Sequence, residues 1–269
     1  MTTKKVLTPL EIYKQLEQSN CKRCMLPSCL AFAAAVIGGQ KKLEECPSLP
    51  QGVIEQLSLK LEKRSTVEPQ QAEFMAKLLR KIKDLDFKAV AKERGCELDE
   101  TGEILKLRSL GKIFQVDREG VLRSECHIIP WVEAPLLSYL CYPTHRQISG
   151  RWISFREIKG GIDWRGLFGS RCEMPLRRLA DGHPELLADI VDLFMGREVT
   201  GFDADIALVL HPFPHIPVLI CYQAPDGDLG SELNIFFDEC CSENLHVKSL
   251  YTLCAGLVMM FEKIAVNHY

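Results

Sequence analysis

The chain has no GxxxxGK[ST] phosphate loop, no GxGxxG turn and no HExxH pair, so none of these three short motifs points to nucleotide or zinc-peptidase chemistry. It has no internal repeat, no low-complexity tract and no Gly/Ser-rich tether. Charge of one sign is missing too. The 33 Lys and Arg stand against 36 Asp and Glu, a net −3 that gives no pull toward nucleic acid or an anionic membrane. The first residues, "MTTKKVLTPLEIY", have lysines but no apolar core, which argues against a signal peptide. The longest apolar run, "LYTLCAGLVMMF", reads as too short to span a bilayer. These absences lead us to expect a cytoplasmic protein with no nucleic-acid partner and no membrane insertion.

What the chain does have is cysteine, 12 in 269 residues. A chain of this length is no disulfide miniprotein. In a reducing compartment, clustered thiols are metal ligands or catalytic groups. Four are clustered, as Cys21-x2-Cys24-x4-Cys29-x16-Cys46-Pro47. Structural zinc prefers paired knuckles, and the segment offers one CxxC and no histidine. A thioredoxin-like pair would use Cys21 and Cys24 and leave Cys29 and Cys46 unexplained. A [4Fe–4S] cluster takes four thiolates, three from a compact loop and a fourth further on, often before proline, and this agrees with the spacing. "LAFAAAVIGG" adds small side chains on a helix starting at the third thiol, whose N-terminal amides favour an anionic group.

The stretch "NCKRC…SCLAFAAAVIGG…CP" resembles the small iron–sulfur domain of the corrinoid iron–sulfur protein large subunit and of the B subunit of the Rnf electron-transport complex. The resemblance covers roughly residues 8–50. It implies a [4Fe–4S] cofactor held by Cys21, Cys24, Cys29 and Cys46. Lys22-Arg23 and Met25 stand where those families often carry glycine, which adds positive charge beside the cluster without removing a ligand.

Around this segment, Thr8-Pro9-Leu10-Glu11 reads as a capped helix start running to about Gln18 or Ser19, and a second helix should run from Ser28 to a stop at Gly38-Gly39. We expect residues 1–50 to be the cluster-binding domain, 51–74 a helical connector, and 75–269 a larger domain. "AEFMAKLLRKIKDL" reads as a basic helix covering a Phe74/Leu78/Ile82 stripe. "EILKLRSLGKIFQVDREGVL" should form antiparallel strands turning at Asp117–Gly120. Helices are expected at "WVEAPLLSYLCY", "MPLRRLA", "PELLADIVDLFMG" and Leu245–Ile264, and strands at "RWISFREI", "DADIALVLHPFP", "IPVLICYQ" and "ELNIFFDE". The fold class is therefore α+β: a small helical [4Fe–4S] domain joined to a larger domain with a mainly antiparallel sheet and packed helices.

The larger part resembles, through "SGRWISFREIKGG", "RCEMPLRRLA", "PHIPVLICYQ" and "IFFDE", a family of uncharacterised domains of anaerobes often fused behind this iron–sulfur module. The resemblance implies a fold unit and brings no reaction with it. Weak candidates for chemistry remain. Asp181-Gly182-His183 begins like a cobalamin DxHxxG motif, but Leu186 replaces the glycine, so it reads as a helix-boundary turn. Cys126-His127 with Cys141 and His145, and His211 with His215, are possible metal pairs whose spacing fits no known pattern. Cys240-Cys241 is adjacent to Asp238 and Glu239, which would oppose thiolate formation. Together with Cys96, Cys172, Cys221 and Cys254 these read as core thiols. Arg151, Arg156, Glu157 and Asp163-Trp164-Arg165 could rim a pocket or form a salt-bridged loop. The expected function is one-electron transfer or accessory redox work in anaerobic metabolism, with a ferredoxin-like or corrinoid-dependent partner. The alternative is an enzyme or corrinoid-related protein whose larger domain binds a substrate reduced through the cluster.

Overall fold

A capping box starts the first helix. In the computed structural model, which describes residues 8–37, 41–65, 67–125, 128, 130–227 and 229–268, the Thr8 N–H donates to Glu11 Oε2 at 3.0 Å and the Glu11 N–H donates to Thr8 Oγ1 at 3.4 Å. The described residues divide into two compact units, with the boundary between Ala76 and Lys77.

In the first unit, α1 (Pro9–Tyr13) is shorter than expected. The N–H groups of Gln15 and Leu16 reach back only three residues, to Ile12 and Tyr13, and Gln18 then takes a left-handed φ of 56°. That tightening ends the helix before Ser19. Ser28 caps α2 (Cys29–Ile37), its Oγ accepting from the Ala31 N–H at 3.1 Å. The expected stop at Gly38-Gly39 lies outside the described residues. A 3-10 turn, Leu43–Glu45, leads to α3 (Gln51–Ser65), and α4 (Val67–Lys83) follows. Ile12, Leu16, Phe32, Val36, Leu43 and Ile54 are buried together as a small core. On α4, Leu78 and Ile82 are buried as expected but Phe74 is 44% exposed, so the apolar stripe is shorter than the sequence suggests.

The second unit takes in the last turns of α4, from Lys77, and continues with α5 (Phe87–Arg94), capped by Asp86 and closed by left-handed Gly95. Strands β1 (Glu97–Leu98), β2 (Ile104–Ser109), β3 (Lys112–Asp117) and β4 (Leu122–Ser124) form a four-stranded sheet in sequence order. Helix α6 (Pro130–Leu140), β5 (Trp152–Ser154) and α7 (Gly161–Phe168) come next. One π-turn, Gly169–Glu173, joins α7 to α8 (Met174–Gly182). Then follow α9 (Glu185–Leu193), β6 (Arg197–Glu198), β7 (Ile206–Phe213), β8 (Ile216–Gln223), β9 (Glu232–Asp238), α10 (Cys241–Asn244) and α11 (Val247–His268). The second sheet runs β5-β9-β8-β7-β6. Every paired strand among the described residues is antiparallel, and the fold is α+β, but with two sheets where the sequence suggested one.

The centre of this unit is β8, buried along its length except at Gln223. Phe155 and Phe168 stack at 4.0 Å between ring centroids, and Phe237 on β9 stands 5.9 Å from each. Helix α11 packs on α6 and α8. Its segment Val247–Val266 is long and apolar enough to cross a membrane, which corrects the shorter length read from the apolar run alone. About half of that stretch (56%) is buried within the protein, the pattern of a core helix. The expected strand "RWISFREI" contributes only three residues, because Ser154 turns the chain into a 3-10 helix, its N–H and Oγ both bonding Glu157 Oε2.

Gly161 shows how tightly α7 starts. A Cβ there would stand 1.9 Å from the Phe155 carbonyl oxygen, a backbone atom that cannot swing away. Gly161→Ala is expected to lower the unfolding free energy by roughly 2–3 kcal/mol. Gly166→Ala, with nothing within 4 Å of the added carbon, is the control and should unfold at the same urea concentration as the wild type or later. Equal midpoints for the two variants would show that the α7 start adapts freely.

Candidate metal centre

The four clustered cysteines come from three local pieces: the loop after α1, the start of α2, and the residue that closes the 3-10 turn Leu43–Glu45. Their side chains line one small cleft, together with Leu16, Phe32 and Ser48 among others. Cys21 is exposed, Cys24 and Cys29 are half-buried, and Cys46 is buried.

The loop backbone is unusual. Gln18, Asn20, Lys22 and Met25 all have positive φ, between 49° and 61°. Left-handed residues alternating with ordinary ones turn successive N–H groups toward one side and make an anion-binding concavity. Asn20 clasps α2 in both directions: its N–H lies 3.3 Å from Cys29 Sγ, and its Oδ1 accepts from the Cys29 N–H at 2.9 Å. The Met25 N–H closes a turn onto the Lys22 carbonyl at 2.9 Å. The Arg23 N–H beside the Cys21 sulfur holds that thiol below its ordinary pKa, which favours the ligand form. Lys22 and Met25 adopt the backbone region where glycine is at ease, at the positions where the resembling families often have glycine.

Of the four basic residues flanking the thiols, Lys41 is neutralised locally. Its Nζ lies 2.5 Å from Glu45 Oε2, and that contact holds the Glu45 carboxyl below its ordinary value. Lys22, Arg23 and Lys42 are exposed. Among the described residues, no three His, Cys, Asp or Glu side chains are grouped for a metal ion, so the four thiols line the cleft without closing onto one point.

The remaining candidates are dispersed. Cys240 and Cys241 are fully buried, their thiols directed at the carbonyls of His215 and Pro217. Burial pushes Cys96 up to about 12 and Cys141 to about 11, and raises Cys172, Cys221, Cys241 and Cys254 as well. Cys126 and His127 lie outside the described residues. Asp181 accepts from the Tyr222 hydroxyl at 2.9 Å, near the end of α8, and His183 follows that helix as its C-cap. Arg151 pairs with Glu239 at 3.3 Å, Glu157 is used as a cap, and Trp164 packs on Tyr251 with ring centroids 5.3 Å apart.

His211 and His215 are not brought together. His211 lines a cleft of about 380 Å³ with Lys106, Arg108 and Met195, a volume suited to a small molecule. His215 instead lies against His145, with ring centroids 4.6 Å apart and tilted by 52°, and meets the Tyr139 hydroxyl at 3.2 Å. Arg94 lies over the same tyrosine, 5.6 Å from its ring centroid. The sequence does not single out Arg94 or Tyr139, because each falls where a helix would carry it for ordinary reasons.

A family model described as "Putative Fe-S cluster" matches residues 16–48, and one described as "Domain of unknown function (DUF3786)" matches residues 86–260. The first segment is 54% identical over 41 residues to the corrinoid/iron-sulfur protein large subunit of Moorella thermoacetica, covering 15% of this chain and 9% of that protein. It is 47% identical over 45 residues to the acetyl-CoA decarbonylase/synthase complex subunit gamma 2 of Methanosarcina mazei, covering 17% and 10%. The gamma subunit of Methanocaldococcus jannaschii matches at 40% over 45 residues, covering 17% and 9%. The chain thus spans about a tenth of these relatives. No solved structure matches.

His215 supplies a pH test of the larger unit. Burial, then His145 and Arg94, lower its pKa from 6.5 to about 4. The unfolded chain therefore binds a proton that the folded chain refuses between those values, so stability present above pH 6.5 is lost as pH falls toward 4. In urea titrations the midpoint should fall over that window. His215→Asn, which keeps an N–H for Tyr139, should reduce the slope by up to one proton. An unchanged slope would assign the acid sensitivity to other groups.

Proposed function

The chain belongs to the DUF3786 family, whose model matches well over half of it, and from that premise we propose that it is a [4Fe–4S] protein serving one-electron transfer or an accessory redox role in anaerobic metabolism. The observation that carries this reading is the gathering of Cys21, Cys24, Cys29 and Cys46 around one cleft beneath a left-handed loop. The donor set fits the group. Four thiols suit a cubane, and the loop amides with the capped N-terminus of α2 complement the negative charge of ligated thiolates. Four thiols lining one cleft with no histidine among them favour a cluster over paired zinc knuckles. A cluster bound there supplies a one-electron redox centre.

The chain's own residues define how such a centre is presented. We assign residues 1–50 to cluster binding, 51–74 to a helical connector and 75–269 to the α+β domain. Exposed Lys22 and Arg23 flank the first two thiols and favour an acidic redox partner, ferredoxin-like or part of a corrinoid-dependent system in keeping with the named relatives. A cytoplasmic location agrees with thiols kept reduced.

Protein purified without oxygen is expected to carry about four irons and four sulfides per chain. Stoichiometric zinc without iron, after anaerobic reconstitution, overturns the assignment. Serine at Cys21, Cys24, Cys29 or Cys46 should bleach the visible absorption, whereas serine at Cys96, Cys141, Cys172, Cys221, Cys240, Cys241 or Cys254 should leave it.

The partner is tested separately. Lys22→Glu with Arg23→Glu should slow reduction by a ferredoxin-like donor roughly tenfold at low salt, with the difference shrinking as salt rises. Equal rates at low salt would remove the electrostatic docking role while leaving the cluster intact.

A further inference from the structure

We infer that Arg94 and His145, in the larger unit, form a binding site for the oxyanion head of a small molecule, a carboxylate or a phosphate-type group.

Arg94 is the last residue of α5 and is only 3% exposed. One guanidinium nitrogen, Nη2, donates to the Tyr142 carbonyl. Nε and Nη1 are buried and have no hydrogen-bond partner. A guanidinium keeps its proton throughout the accessible pH range, so this is a buried charge with two idle N–H groups. Buried charges are ordinarily paired. Among the described residues no carboxylate forms an ion pair with Arg94. Its ionisable neighbours do not serve in their place. Burial raises the pKa of Cys96, Cys141 and Tyr139 so far that all three are neutral at pH 7. The Tyr139 ring face attracts the cation but cannot accept the in-plane N–H groups.

The adjacent imidazoles add another donor. The Tyr139 hydroxyl has one hydrogen, and it is given to the Arg94 carbonyl at 2.9 Å. His215 Nδ1, at 3.2 Å from the same oxygen, must therefore be the donor to it. His145 has Nε2 at 3.2 Å from the Gln147 amide nitrogen, and the tautomer in which Nε2 accepts there carries its ring proton on Nδ1. His145 Nδ1 is buried and partnerless. In that tautomer the unmet polar atoms of Arg94 and His145 are all N–H donors. A water molecule could accept from them but would leave the charge uncompensated, whereas an oxyanion answers both. Both histidines are held below their ordinary pKa, chiefly by burial, so the site's net charge is the single one of Arg94. His145 and Tyr142 are only half-buried and Thr144 is exposed, so the site lies close to the surface on that side.

The test uses the full chain prepared without oxygen, with sodium formate, sodium bicarbonate, sodium phosphate or sodium sulfate compared against sodium chloride at equal ionic strength. Thermal unfolding reads occupancy, and the histidine ring C–H signals in NMR read the site directly. Formate and bicarbonate, or phosphate and sulfate, are expected to raise the melting midpoint by about 5 °C when near a hundredfold above Kd. They should also shift the His145 ring signals. A response to the first pair identifies a planar carboxylate head, and a response to the second a tetrahedral one. Arg94→Met should abolish both effects. Should that variant fail to fold, His145→Leu at a half-exposed position should weaken binding roughly tenfold. The inference is overturned if no oxyanion acts beyond chloride, or if Arg94→Met or His145→Leu responds as the wild type does.

Discussion

The left-handed backbone between Gln18 and Met25 is the constraint from which the first unit follows. Each non-glycine residue held there costs on the order of 1 kcal/mol or more, and four are held within one loop. The small core led by Phe32 and Leu16 does not by itself dictate such a path. Asn20, the residue type most tolerant of this region, fixes the loop to α2 through both of its bonds to Cys29. What the strain purchases is a set of amides and thiols facing one cleft. In the proposed role, ligand binding and loop closure are then one event, because a site of this kind has no counterpart in the unfolded chain.

Surroundings divide the described cysteines into two chemical classes. Those of the first unit line a cleft, and Cys21 is tilted toward its thiolate by a neighbouring amide. Those of the second unit act mostly as small apolar side chains. Cys172, Cys240, Cys241 and Cys254 are fully or almost fully buried in the core, and burial strongly opposes ionisation of Cys172, Cys241 and Cys254. A thiolate ligand needs the first environment and is excluded by the second. The cysteine-rich composition therefore does not imply metal chemistry throughout the chain.

What could be read from the sequence was local. Thr8 and Glu11 announce a helix start because capping uses residues three apart, and the Asp117–Gly120 turn appears where the alternation breaks. The thiol spacing is likewise local. Features set by tertiary packing were not legible. Leu110 is a poor choice for a two-residue turn with positive φ at both positions, yet it is buried and its N–H reaches the His211 carbonyl at 3.2 Å. The end of α1, the brevity of β5 and the exposure of Phe74 depend on neighbours in the same way. Arg94 looks like a basic residue placed to complement a helix end. Only the fold brings it to Tyr139 on α6 and, through that ring, to His215 after β7.

The surface of the cluster loop also bears on how a partner would be recognised. Met25 is 89% exposed and Leu30 is exposed as well, but isolated apolar side chains of this kind are ordinary on protein surfaces and define no large patch. Charge is distributed more selectively. Lys41 is taken up by Glu45, while Lys22 and Arg23 stay exposed beside the first thiols. Encounters guided by two or three exposed charges are fast, salt-sensitive and short-lived, and small interfaces of this type are common among redox pairs. A partner that must deliver an electron and leave is served by that arrangement, whereas a permanent subunit would require a broader apolar face than Met25 and Leu30 provide.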